Sequence, residues 1–176
     1  MLKSLGVVAL ALVASSPANA QAVESTVAAS NGVEVTVYSD EFANRYEYSA
    51  PAVKLVDGFV LVSTVKKAGT VAPVQLVGAF TYSGEWRRYT SAIYRGGDAA
   101  NYTDTGRNVG RCSSSRYSRP SCTLTEQFSI EVSSDDIKKH AQDGSLAIQV
   151  RAQDTTTALL NVPLVYFQAV EEVSHR

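Results

Sequence analysis

The strongest constraint on this chain is a repeated one. Short segments of alternating apolar and polar residues recur about every ten residues, separated by turn signals. In GVEVTVYS (32–39), Val33, Val35 and Val37 share one face, with Glu34, Thr36 and Tyr38 on the other. That period of two marks a half-buried strand. VKLVDGFVLVSTVKK (53–67) reads as two runs about the hairpin dipeptide Asp57-Gly58, or as one long strand bulged at the glycine. Its FVLVSTV portion is apolar on both faces, which places it centrally, and PVQLVGAFTYS (73–83) is of the same kind. EFANRYEYSAP (41–51) is ambiguous between a short strand and a loop. In CTLTEQFSIEVSS, Leu124, Phe128, Ile130 and Val132 turn inward. Glu126 falls on the same apolar face; the expectation is exposure at the sheet rim, with pairing to an arginine as the other option. LAIQVRAQ and ALLNV form a hairpin across Asp154-Thr155-Thr156.

Two segments follow a helical period instead. SSDDIKKHAQDG opens with Ser133 and, three residues on, Asp136, as a capping box does, and stops at Gly144. PLVYFQAVEEVSH places Leu164, Phe167, Val170 and Val173 at helical spacing behind Pro163, a residue suited to a first turn. The fold class expected is therefore mainly β: an antiparallel β-sandwich-like domain with one short internal helix and a C-terminal helix.

The first residues read differently. Lys3, the apolar run Leu5–Ala14 and Ala18-Asn19-Ala20 have the three-part pattern of a signal peptide, cleaved between Ala20 and Gln21. The run is shorter than the roughly 20 residues that span a bilayer. This predicts a bacterial periplasmic or secreted protein with no transmembrane span after cleavage. Residues 21–31 are expected as a flexible N-terminus and 32–176 as a single domain. The whole chain carries 16 basic and 17 acidic residues, and loss of Lys3 leaves a net charge of −2. Nothing global selects nucleic acid as a partner. Two cysteines, Cys112 and Cys122, without a C-x-x-C motif favour a disulfide in an exported chain.

Function points to Gly84–Cys122. This stretch holds the only tryptophan, both cysteines and seven arginines, and reads as an aromatic-basic strand followed by a long exposed connection clipped at its far end. The strand reading sets Tyr89, Ser91 and Ile93 opposite Trp86, Arg88, Thr90, Ala92 and Tyr94. Guanidinium and phenol groups are enriched in binding surfaces. The candidate contact residues are Trp86, Arg87, Arg88, Tyr89, Arg95, Arg107, Arg111, Arg116, Tyr117 and Arg119. They suit an anionic envelope component or an acidic protein. No catalytic residue, metal set or cofactor motif is singled out. His140 borders the apolar side of the short helix, where a structural histidine is the expectation, and Asp98, Asn101 and Asp104 lack the spacing of a calcium loop.

Gly84-Glu85-Trp86-Arg87-Arg88-Tyr89, the Arg111-Cys112…Cys122 clip, the acid-rich helix and Pro163-x-x-Tyr166-Phe167-Gln168 together resemble a set of small exported bacterial proteins. The resemblance spans roughly residues 80–170 and implies an exported β-rich domain, without an activity. The reading is a non-catalytic binding or accessory module. Its alternatives are an enzyme with a spatially assembled site around His140, and a structural subunit, which an unpaired strand edge would favour.

Overall fold

The computed structural model describes residues 22–115 and 118–176, with side chains described outside 114–120. Among these residues twelve strands and two helices follow one another. The strands are β1 (Val23–Ala28), β2 (Glu34–Asp40), β3 (Arg45–Ser49), β4 (Val53–Leu55), β5 (Gly58–Lys67) and β6 (Thr70–Val71). Then come β7 (Gln75–Ser83), β8 (Tyr89–Tyr94), β9 (Ala99–Ser115) and β10 (Ser118–Glu131). Helix α1 (Ser134–His140), β11 (Ser145–Ala152), β12 (Thr157–Pro163) and helix α2 (Leu164–Ser174) complete the chain. The mainly β, antiparallel architecture with an internal and a C-terminal helix is the expected one.

The strands form one path, β1-β2-β3-β5-β7-β10-β9-β8-β11-β12, with β4 and β6 attached to β5. Although β10 and β9 lie between β7 and β8 in that path, Phe80 of β7 stacks on Tyr89 of β8 with centroids 4.2 Å apart. The sheet therefore folds over itself into two layers. Phe80, Phe128, Ile130, Leu76, Leu146, Ile148 and Leu160 are buried to 1% exposure or less between them. Each such side chain contributes about 1.5–3 kcal/mol of transfer free energy.

Local chemistry explains the elements. β4 and β5 meet at a two-residue turn, Val56-Asp57, with Leu55 opposite Gly58. A Cβ at Gly58 would lie 1.9 Å from the Ala79 carbonyl oxygen, so only glycine lets β5 approach β7 there. The capping box of α1 is present: the Asp136 amide donates to Ser133 Oγ at 3.0 Å and the Ser133 amide to Asp136 Oδ2 at 2.9 Å. Helix α2 begins at Pro163 and buries Phe167, Ala169, Val170 and Val173 against β5, β2 and β3.

Three local expectations change. Residues 23–28, within the expected flexible N-terminus, form β1 and pair residue for residue with β2. The long connection after Tyr94 is instead β9 and the first residues of β10, because the mostly exposed, polar side chains of β9 leave no apolar period to read. In β8 the register shifts near Thr90 and Ser91, so Tyr89, Ala92 and Tyr94 are the buried residues. A bulge of this kind moves every later side chain to the opposite face.

A cleft built over a buried carboxylate

β8 and β9 are paired only at Ala92–Ala100 and Ile93–Ala99. Beyond those pairs the strands separate, and side chains replace the ladder. Glu126 of β10 provides most of the replacement. It is 2% exposed, not at the rim, because four donors converge on it. They are the Arg88 amide at 2.9 Å, the Tyr89 amide at 3.2 Å, Arg107 Nε at 3.2 Å and the Tyr82 hydroxyl. A buried carboxylate is tolerated only when its desolvation is offset in this way. Tyr102 completes the seam by donating from its hydroxyl to the Tyr89 carbonyl at 3.3 Å.

The turn above this carboxylate is held in an uncommon conformation. Arg88 has φ of +58°, a left-handed geometry unusual for a non-glycine residue. The Gln153 amide donates to the carbonyls of Arg87 and Arg88, at 3.2 and 3.1 Å, while Glu126 takes the Arg88 amide. The Arg87 amide donates to the Tyr82 hydroxyl at 3.0 Å, and its guanidinium lies 4.2 Å over the Tyr82 ring. Arg87 also donates to Asp57 Oδ2 at 2.6 Å and to the Tyr89 hydroxyl at 3.3 Å. Backbone held in a sparse region is a feature of functional turns, and here every contact that holds it is visible.

The network sets the protonation states. Burial, followed by the hydrogen bond to Glu126, pushes the Tyr82 phenol up to about 12. Burial opposes the charge on Arg87, but its bonds to Asp57 and Tyr89 outweigh that and hold it above the usual arginine range. The hydrogen bond to Glu126 does the same for Arg107. Tyr102 is raised by burial, then by the charges of Asp104 and Glu126.

A cleft of about 730 Å³ opens between this turn and the ribbon. Gly84, Glu85, Trp86, Arg87 and Arg88 form one wall, Val109, Cys122 and Leu124 the other, and Gln153 and Asp154 the end. Cys112 and Cys122 stand directly opposite each other in the register and form the expected disulfide, on the cleft side of the ribbon.

The candidate contact residues divide accordingly. Trp86, Arg87 and Arg88 line the cleft, with Trp86 partly buried against the core. Tyr89 is 1% exposed and lies beneath the turn, so it stacks in the core instead of presenting a surface. Arg87 is paired with Asp57, and Arg107 with Glu126 and Asp104. Arg95 lies at the other end of β8 and donates to Gln142 Oε1 at 2.9 Å. Arg111 is exposed on β9, without a side-chain partner among the described residues. Arg116 and Tyr117 lie outside the described residues, as does the side chain of Arg119. Sequence reasoning missed Tyr82, Val109, Gln153 and Asp154. Only Glu126 carried a signal, as an acid in the apolar phase of a strand.

A second polar cluster sits at the far end of β8. His140 is buried and stacks on Tyr94, with centroids 4.3 Å apart. Its Nε2 lies 3.4 Å from Asp98 Oδ2, which Lys139 Nζ approaches at 2.8 Å. The Lys139 hydrogen bond holds the Asp98 carboxyl below its ordinary value. Burial, then the nearby charge of Asp136, pushes the Tyr94 phenol up to about 12. This cluster fastens α1 to the β8–β9 turn, and His140 is not among the residues lining the cleft.

Among the described residues no group of three or more His, Cys, Asp or Glu is gathered to hold a metal, and no helix is long and apolar enough to cross a membrane. Comparison with protein-family models, curated proteins and solved structures finds no match to this chain.

Proposed function

We propose that this protein is an exported, non-catalytic binding module whose ligand seats in the cleft between the Gly84–Arg88 turn and the β9–β10 ribbon. The observation that carries this reading is the preorganised turn. Glu126 and Gln153 fix the backbone of Arg87–Tyr89, leaving Trp86 and Arg88 on the cleft wall. Preorganisation lowers the ordering cost of binding, and an aromatic ring with an adjacent guanidinium is a common anchor pair. Binding is favoured over catalysis because the nearby ionisable groups have structural partners. Glu126 accepts four hydrogen bonds, and Arg87 and Arg107 are each paired. The disulfide and the leader-like first twenty residues support export to the periplasm or beyond.

The test uses the single tryptophan. The mature protein is exposed to fractionated envelope extract, and to polyphosphate as a defined anionic probe, while Trp86 emission is followed. A fraction that shifts the emission of wild type, and does so at least about fivefold more weakly with folded Arg88→Ala, supports the reading. Unchanged emission with every fraction and with polyphosphate would contradict it.

A further inference from the structure

The seam between β8 and β9 leaves more than a cleft. β9 runs to Ser115, yet its ladder with β8 ends at Ala100, so its edge away from β10 is unpaired from Asn101 onward among the described residues. In an antiparallel strand, alternate residues turn both N–H and C=O toward such an edge. From Tyr102 to Arg107 the edge is covered by the side chains that bridge to Tyr89 and Glu126. Beyond Arg107 it runs beside the open cleft. There Val109 is 53% exposed and shares the wall with Leu124 and Cys122, facing Trp86 and Arg88.

Natural sheets blunt a free edge with lysine, proline or bulges. β9 contains neither lysine nor proline, although a bulge, Gly110 and Arg111 opposite Thr123, interrupts its ladder with β10 beside the cleft, a common place for one at a functional site. The charge is also one-sided: Thr105–Cys122 holds four arginines and no aspartate or glutamate.

We propose that the cleft receives an extended acidic peptide segment of a partner protein, added as a strand to β9 over Asn108–Ser113. The proposal rests on the cleft being the binding site, and it names the ligand. Main-chain hydrogen bonds to β9 give affinity, as in other strand additions. Alternate side chains of the incoming segment fall on the apolar wall of Val109, Leu124 and Trp86. Its carboxylates meet Arg88 and Arg111, which have no internal partner among the described residues. A second copy of the chain fits less well, because the same segment carries Arg111 and no carboxylate to meet it.

The probe is a random octapeptide library displayed on phage and selected on the immobilised protein. Enriched sequences should alternate apolar and acidic residues. The best synthetic peptide should shift Trp86 emission and slow hydrogen exchange at Asn108–Ser113. Its counterpart N-methylated on alternate amides should bind at least about tenfold more weakly, as should wild-type peptide on folded Arg111→Glu. No enrichment, equal binding of the N-methylated peptide, or protection confined to another strand edge would overturn the proposal. If envelope fractions shift Trp86 while no peptide does, the cleft remains the site and the peptide assignment fails. If neither does, both fail.

Discussion

The polar residues beneath the Gly84–Arg88 turn and those on the ribbon beyond Arg107 are of the same types, and the fold treats them oppositely. Beneath the turn, Arg87, Arg107, Tyr82 and Tyr102 each meet an acceptor or an aromatic face. On the ribbon, Arg111 meets solvent. The difference comes from the acids, not from the arginines. Glu126 and Asp57 are placed by β10 and by the β4–β5 turn where they receive guanidinium groups, and no carboxylate occurs along Thr105–Cys122. One group of cations is paired within the fold, and Arg111 has no such pairing among the described residues. Arg87 and Arg88, adjacent in sequence, fall on opposite sides of that division.

Substitutions should break the comparison in a definite order. Glu126→Ala should cost about 3 kcal/mol in urea unfolding, because two backbone amides and the Tyr82 hydroxyl lose their acceptor in a buried site. Arg107, at 38% side-chain exposure, can turn to water, which keeps the loss from being larger. Removing the disulfide by Cys112→Ser with Cys122→Ser should cost about 2 kcal/mol on the chain-entropy view while the core stays folded. Tyr82→Phe should cost about 1.5 kcal/mol, since it removes one bond to a carboxylate and the acceptor of the Arg87 amide. Arg111→Glu should change stability by less than about 0.5 kcal/mol. A large loss there would place Arg111 among the structural cations after all.

The phenols sharpen the same contrast by titration. Tyr82 and Tyr94 have folded pKa values raised from 10.0 to about 12. A raised value means the neutral form is favoured by folding. Their contribution is therefore complete below pH 10 and is lost as pH rises toward 12. Phenolate absorbance should thus show the Tyr82 and Tyr94 phenols ionising only toward pH 12 or with alkaline unfolding.

Much of the fold was legible in the sequence because period two is a strong signal when one face is apolar, as in Val33–Val37 and Leu124–Val132. The capping box at Ser133 and the proline before Leu164 marked both helices for local reasons that tertiary context did not override. The ribbon was not legible, since Thr103 to Ser115 has few apolar residues on either face. The site was legible only in outline. That Arg87 turns inward depends on Asp57, thirty residues away in sequence, and nothing near either residue announces the pair. Glu126 did announce itself, as an acid among inward-facing apolar residues. Its burial followed from two strands separating above it, a property of the assembled sheet.

Whether Glu126 builds the turn that presents Trp86 and Arg88 can be read from acrylamide quenching of Trp86 in wild type and in Glu126→Gln, with circular dichroism as the check on folding. Glutamine keeps the size of the side chain and gives up half its acceptor capacity. Trp86 emission in the variant should be red-shifted and more readily quenched, with the β signal unchanged. Identical quenching in two equally folded proteins would contradict it, and would mean that the turn stands without the carboxylate beneath it.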